Sequence, residues 1–265
     1  MAKKVIVNGA CGRMGREVVK TILELKDYQL AGVCDLVNTG QNINKYVDCK
    51  EEGLIITNDL EGLIQEKKPD IIIDFTTPTA IMDNIKTGLE NGVNMIVGTT
   101  GITEVDLKII EDLAIKNKAN ILIAPNFAVG AVLMMRYAKE AARYLKNVEI
   151  IELHHDQKLD SPSGTARKTA ELINQNRENY KKNKIAEIES LSGARGADYN
   201  GVRIHSIRLP GLIAHQEIIF GAEGQTLTIR HDSYNRSSFM PGIRLALEKI
   251  DQISGLVYGL ENILD

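Results

Sequence analysis

Val5-Ile6-Val7-Asn8-Gly9-Ala10-Cys11-Gly12-Arg13-Met14-Gly15 is a β-branched run that breaks into a glycine-punctuated turn. A helical pattern follows, with Met14, Val18, Val19, Ile22 and Leu25 on one face. The reading is a buried strand, a tight turn and a helix, the ingredients of a dinucleotide-phosphate cradle. The spacing G-x-x-G-x-x-G is a variant of G-x-G-x-x-G, and alone it separates a cradle from an unliganded strand–helix turn only weakly.

The next segment raises its weight. Gln29-Leu30-Ala31-Gly32-Val33-Cys34-Asp35 reads as a second strand ending on an acid about twenty residues past Gly15. A carboxylate there accepts hydrogen bonds from the adenosine ribose, so strand, turn, helix, strand and acid together favour a dinucleotide site. The alternation continues with a helix over 59–67 and a strand over 71–74. A helix follows, capped by Thr77 with Pro78 in its first turn and Gly92 past its end. Then come a strand over 95–97, a helix to Lys118 with a Thr103/Asp106 capping box, and a strand over 121–123. Such repeats predict an α/β fold, a Rossmann-type doubly wound parallel sheet with ligands at the carboxyl ends of its strands. Three loops should converge there: Gly9 to Gly15, Gly98-Thr99-Thr100-Gly101 and Pro125-Asn126-Phe127-Ala128.

Beyond Asn126 the pattern changes. A helix over 131–145, a strand over 148–153 and a helix over 165–175 lead to a polar segment, 176–187, read as a surface helix or loop. Three strand patterns follow at 202–208, 214–220 and 226–232, the last two joined through Gly221-Ala222-Glu223-Gly224. This predicts an α+β domain with an open mixed sheet, mostly antiparallel. His205, His215 and His231 lie on these strands and read as packing or hydrogen-bonding residues. A closing helix spans 239–253.

With 32 basic and 35 acidic residues among 265, the charge balance gives no case for a nucleic-acid or membrane surface. No run approaches the ~20 apolar residues of a membrane span, and no leader pattern is seen. Cys11, Cys34 and Cys49 are an odd set without paired spacing, which suits free thiols in a reducing compartment. The expectation is a soluble cytoplasmic protein.

The densest chemistry lies in Glu152-Leu153-His154-His155-Asp156-Gln157-Lys158-Leu159-Asp160-Ser161-Pro162-Ser163-Gly164-Thr165-Ala166. A strand delivers titratable groups, and a loop then opens a helix. The backbone N–H groups of Ser163, Gly164 and Thr165, aided by the helix dipole, would receive an anion, and Lys158 adds a movable charge. Adjacent histidines alternate faces if the strand runs through them, which argues against a two-histidine metal site. No metal is expected.

This run, with its His-His pair, a lysine three residues on and Pro-Ser-Gly-Thr, resembles the signature of the dihydrodipicolinate reductase family. Phe75-Thr76-Thr77-Pro78, Gly98-Thr99-Thr100-Gly101 and Asn126-Phe127-Ala128-Val129-Gly130 resemble further family segments in the right order. So do Arg195-Gly196, Leu209-Pro210-Gly211, His215-Gln216-Glu217 and Arg230-His231-Asp232-Ser233, so the likeness spans nearly the whole chain. It implies a 4-hydroxy-tetrahydrodipicolinate reductase that transfers hydride from NAD(P)H to a cyclic unsaturated imine dicarboxylate in lysine and diaminopimelate synthesis. His154 would be the acid/base residue and Lys158 the proton donor, with His155, Ser163, Gly164 and Thr165 on substrate. Cofactor would be held by Gly9, Ala10, Cys11, Gly12, Arg13, Met14, Asp35, Gly98, Thr99, Thr100, Pro125, Asn126, Phe127 and Ala128. The resemblance further implies a terminal helix returning to the nucleotide domain and a homotetramer built on the open sheet. Residues 1–126 and 236–265 would then bind dinucleotide, and 127–235 would bind substrate and oligomerise.

Family members that use NADPH well commonly place an arginine after the ribose-binding acid, and some place another in the Phe-Thr-x-Pro loop. Leu36 and Thr77 stand here, so NADH is expected to be preferred with NADPH also accepted, since Arg13 and Arg16 lie close by. Another two-domain dehydrogenase would not need Ser-Gly-Thr after His-His-x-x-Lys. Intact His154 and Lys158 speak against a cofactor-sensing regulator without catalysis.

Overall fold

Val5, Ile6 and Val7 are fully buried in β1 (Lys3–Asn8), which lies inside a parallel sheet covered on both faces. The structure is a computed structural model that describes residues 2–49, 53–178 and 188–264. The chain forms two units, Met1–Val129 with Phe239–Asp265, and Gly130–Ser238.

In the first unit β1 leads through the glycine turn into α1 (Arg13–Glu24), whose Val18, Val19 and Ile22 are buried, and on to β2 (Tyr28–Cys34). A short β3 (Ile56–Thr57) follows, then α2 (Leu60–Lys67), capped by Asp59 accepting from the Gly62 N–H. Next come β4 (Ile71–Asp74), α3 (Ile81–Glu90), β5 (Asn94–Val97), α4 (Glu104–Asn117) and β6 (Ile121–Ile123). The Thr103/Asp106 capping box is present in both directions, as its spacing predicts. The cap predicted at Thr77 is not: α3 begins at Ile81 behind Ala80, without a side-chain cap. The Thr77 hydroxyl is instead paired with that of Thr79, while the Thr77 carbonyl accepts from the Ala80 and Ile81 N–H groups.

The second unit takes in most of α5 (Val129–Ala141), then β7 (Asn147–His154), α6 (Gly164–Asn176), β8 (Ala197–Tyr199), β9 (Val202–Arg208), β10 (Ala214–Ala222) and β11 (Gln225–Ser233). Its sheet runs β11-β10-β7-β9-β8. All neighbours are antiparallel except β7 and β9, whose connection carries α6 across the sheet. Met134, Ala138 and Ala142 near α5, with Ala166, Ala170 and Ile173 of α6, close one face against Val148, Ile150, Val202, Ile204, Ile218 and Phe220. Of the predicted surface segment 176–187, residues 179–187 lie outside the described residues; Arg177 is buried and donates to the Lys146 and Asn200 carbonyls.

The chain returns to the first unit as α7 (Met240–Lys249) and β12 (Leu256–Tyr258). The closing helix is thus shorter than expected, because a turn through Gly255 at φ +67° releases a seventh strand that pairs with β6. The full parallel order is β12-β6-β5-β4-β1-β2-β3. The order in which the chain adds strands reverses between β1 and β4, and ligands of such sheets bind outside the strand ends at this point. Register levels those ends: Asn8 lies opposite Cys34 and Asp74, and Asp74 opposite Val97.

The turn after β1 tolerates no side chains at two of its glycines. A Cβ on Gly9, at φ +78°, would lie 2.5 Å from the Phe75 carbonyl oxygen, and one on Gly15 would lie 2.0 Å from that of Gly9. Gly15→Ala should therefore cost about 1–3 kcal/mol as α1 is pushed off the turn. Thermal unfolding should show a Tm lower by about 2–4 °C per kcal/mol. An unchanged Tm would mean that α1 moves away freely.

Candidate active site

Of the described helices, α1 begins with its donors left open. Its N-cap, Gly12, has no side chain to accept from them, and its first turn holds no acid. The exposed N–H groups and the helix dipole make an anion site, and the glycines let a pyrophosphate approach the backbone. A cleft of about 340 Å³ opens beside it, lined by Gly12, Arg13, Met14, Phe75, Thr76, Pro78, Gly98, Thr99 and Thr100. Phe75, Thr76 and Pro78 were not among the expected cofactor residues, although their segment carried part of the family resemblance. Gly98 is fixed by the same packing, since a Cβ there would meet the Phe75 ring at 2.1 Å. A larger hollow of about 500 Å³, bordered by Gly32, Thr57, Asp59 and Glu66, includes none of these loops.

Asp35 follows β2 beside the glycine turn. Its carboxylate accepts from the Cys11 N–H at 2.8 Å and the Val37 N–H at 3.1 Å, which fixes it against the turn. Leu36 beside it is exposed. Arg16 is committed: its Nε donates to the Cys11 carbonyl at 2.8 Å and its guanidinium lies over the Tyr46 ring. Arg13 is exposed. Of the predicted segment Pro125 to Ala128, Phe127 and Ala128 are buried. The Phe127 ring lies 5.7 Å from that of Phe75, so it supports the cleft wall from within. The Asn126 side chain accepts from the Ala128 N–H.

Beneath this cleft sits an acid to which the sequence gave no role. Asp74 is fully buried and accepts from Asn8 Nδ2, Asn84 Nδ2, the Thr76 N–H, Thr76 Oγ1 and Thr99 Oγ1, all at 2.7–2.9 Å. Burial pushes its pKa up, and the bonds from Thr76, Thr99 and Asn8 oppose that rise.

In the second unit β7 ends at His154, so the strand does not continue through His155 and the alternation argument stops there. The Lys158 N–H donates to the His155 carbonyl, closing a turn, and Lys158 Nζ donates to Asp160 at 2.7 Å. Ser163 caps α6, its hydroxyl accepting from the Ala166 N–H at 3.2 Å. Its own N–H is engaged by Glu152 at 3.2 Å, contrary to the expectation that it would be free. Gly164 and Thr165 supply the open donors, and the space over Gly164 is empty to 4 Å.

Glu152 is the second residue that sequence reasoning passed over. It has no exposed side-chain surface, and Arg208 of β9 grips it with two guanidinium nitrogens at 2.9 and 2.8 Å. Arg208 also donates to the Asp160 carbonyl, tying the His154–Ser163 loop to the sheet. The only signal in the sequence was a glutamate placed two residues before the histidine, on the same strand face. The three other histidines take structural positions: His205 on Glu149, His215 on Asp232, and His231 against Gly130. Among the described residues no cluster of three or more His, Cys, Asp or Glu is placed to hold a metal, and no helix is long and apolar enough to cross a membrane.

The sequence matches the family model "Dihydrodipicolinate reductase, N-terminus" over residues 3–127 and "Dihydrodipicolinate reductase, C-terminus" over residues 130–264. It is 54% identical to the 4-hydroxy-tetrahydrodipicolinate reductase of Listeria monocytogenes serotype 4b, covering 99% of this chain and 100% of that one. Identity to the Bacillus pumilus protein of the same name is 52%, covering 99% and 98%. A solved structure of dipicolinate-bound dihydrodipicolinate reductase from Paenisporosarcina sp. TG-14 superposes with a TM-score of 0.89 at 47% identity, covering 100% of both chains. An amine dehydrogenase from Mycobacterium smegmatis shares the fold at a TM-score of 0.70 and 14% identity, covering 97% and 95%.

Burial works to raise the Glu152 pKa, but bonds from His154, Arg208 and Ser206 outweigh it and hold the carboxyl at about 2, below its ordinary 4.5. A depressed carboxyl pKa contributes stability that is complete above the ordinary value and lost as pH falls through the folded one. Urea unfolding of the unmodified protein should therefore lose stability between about pH 4.5 and 2. Glu152→Gln should be less stable at neutral pH and show a flatter decline over that window. An equal decline in both proteins would assign acid sensitivity to other groups.

Proposed function

The chain belongs to the dihydrodipicolinate reductase family, and from that premise we infer how its residues divide the work of 4-hydroxy-tetrahydrodipicolinate reduction. In this reaction the 4-hydroxyl leaves as water. The resulting unsaturated imine takes a hydride from NAD(P)H and a proton to give tetrahydrodipicolinate and NAD(P)+, in the diaminopimelate and lysine pathway. The reaction needs a positioned hydride, a proton donor and sites for two carboxylates.

The glycine turn, Asp35 and the Gly98–Thr100 loop hold the dinucleotide. The open start of α1 receives the pyrophosphate, and the Asp35 carboxylate, braced by Cys11 and Val37, accepts from the ribose diol. Bound nicotinamide supplies the hydride. Pro125 to Ala128 continue from β6 and, with Phe75, back the nicotinamide half. In the second unit the Gly164 and Thr165 N–H groups bind a substrate carboxylate. Ser163 braces them from below, and its hydroxyl keeps a proton to donate. His155 contacts substrate, Lys158 leaves Asp160 to donate a proton, and His154 acts as acid/base residue. The observation that carries this reading is the pair of open donors at the start of α6 beside the strand end that carries His154. The reading extends to a cytoplasmic homotetramer. Half-buried Ile151, Leu153 and Ile219, on the sheet face away from α5 and α6, form a surface suited to subunit pairing.

Lys158→Met should lower kcat by roughly 10²-fold or more with the fold intact. The assay is loss of NADH absorbance when substrate is generated by a dihydrodipicolinate synthase. Near-normal kcat in the folded variant would remove Lys158 from the chemistry, and no turnover by the unmodified protein would overturn the whole reading.

The cofactor preference rests on Asp35, uncharged Leu36 and Thr77, and the commitment of Arg16 to Cys11 and Tyr46, which leaves Arg13 to meet a 2′-phosphate. NADH should show the lower KM, by roughly 5–30-fold, and both cofactors should be used. Asp35→Ala with Leu36→Arg should reverse the order. A lower KM for NADPH in the unmodified protein would assign the choice to Arg13.

A further inference from the structure

Glu152 and His154 stand two residues apart on β7, on the face that α6 covers. Val148 and Ile150 precede them on that face, so an apolar stripe ends in a carboxylate with no exposed side-chain surface. An ionised carboxylate is expensive to bury unless its oxygens are paired. Here they are: Oε1 accepts from Arg208 at 2.8 Å and from the Ser163 N–H at 3.2 Å, and Oε2 accepts from Arg208 at 2.9 Å. Oε2 also lies 2.5 Å from His154 Nδ1, and the Ser206 side chain gives the carboxylate a further hydrogen bond. The cross-strand neighbours of Glu152 are neutral, Ser206 on β9 and Gln216 on β10, and Gln216 is turned to Thr169.

A carboxylate gripped by a guanidinium can only accept hydrogen bonds. The ring atom facing it must therefore donate, so the His154 proton sits on Nδ1 and Nε2 is left to take or give a proton. Burial agrees, with His154 at 15% side-chain exposure and Glu152 at 0%. Resting on His154 as the acid/base residue, we propose that Glu152 is a positioning residue for the reduction: held by Arg208 and the Ser163 N–H, it fixes the ring and tautomer of His154 so that Nε2 is the proton-exchanging atom.

A purely structural Glu152 would serve Arg208 and the α6 cap and be indifferent to the tautomer. Nitrogen NMR of isotope-labelled histidine rings in the unmodified protein separates the two roles without any variant. The neutral His154 ring should carry its proton on Nδ1, and a ring protonated on Nε2 would overturn the proposal. In Glu152→Gln the new amide can donate to Nδ1, so the proton should move to Nε2. kcat should then fall by roughly 10²–10⁴-fold, while the NADH dissociation constant, read by fluorescence, stays unchanged. His154→Gln, run beside it, isolates the underlying reading. Loss of activity in His154→Gln with full kcat in Glu152→Gln would overturn the positioning role alone. Full kcat in His154→Gln would overturn the acid/base assignment and the proposal with it.

Discussion

Asp74 ends β4 with a carboxylate that solvent does not reach, and five hydrogen bonds from Asn8, Thr76, Asn84 and Thr99 make its burial tolerable. Those donors come from the end of β1, the loop after β4, the body of α3 and the loop after β5. One acid thus ties together the segments on both sides of the point where the strand order reverses. The close approaches around the turn follow. Gly9 lies against the Phe75 backbone, Gly98 lies under the Phe75 ring, and neither has room for a side chain. The cleft between these loops is shaped by the need to satisfy a buried charge.

The second unit meets the same problem by other means. Neither Glu152 nor Asp74 exposes surface to solvent, yet the Glu152 pKa moves down where that of Asp74 moves up. Burial weighs more heavily on Asp74, and the bonds that lower the Glu152 pKa come from His154 first, then from Arg208 and Ser206. Neutral donors around Asp74 only reduce the cost of desolvation, whereas Arg208 adds direct charge pairing at 2.8 Å. Arg208 also reaches the Asp160 carbonyl, so the arrangement that keeps Glu152 charged holds the loop bearing Lys158.

The helix starts show which donors the fold spends and which it keeps. In α4 a reciprocal Thr103/Asp106 box closes the first turn, and in α2 the Asp59 side chain does so. In α1 no side chain caps the turn, and in α6 Ser163 takes the Ala166 N–H while Gly164 and Thr165 stay open. α3 and α7 also start without a side-chain cap, α3 closing instead on the Thr77 carbonyl, which accepts from the Ala80 and Ile81 N–H groups. The open donors at the starts of α1 and α6 can receive an anion.

Much of this was written in local sequence. Strand and helix alternation, the glycine turn, Asp35, the capping box and the His154-His155-x-x-Lys158 run each lie within a few residues, where periodicity and backbone sterics act directly. Strands β3, β8 and β12 were not read, because their two or three residues show no period and the pairing of β3 and β12 depends on distant neighbours; the equally short β6 was legible only from its place in the strand–helix alternation. The start of α3 was misread because Thr77 had a closer partner in Thr79 than the helix terminus offered. The support beneath both sites was hidden for a related reason. Glu152 and Arg208 are 56 residues apart, and Asn8 and Asp74 are 66 apart. Only strand register brings these groups together. The candidate ligand-binding residues could be read from the sequence, while the buried carboxyl groups beneath them were placed by the tertiary fold.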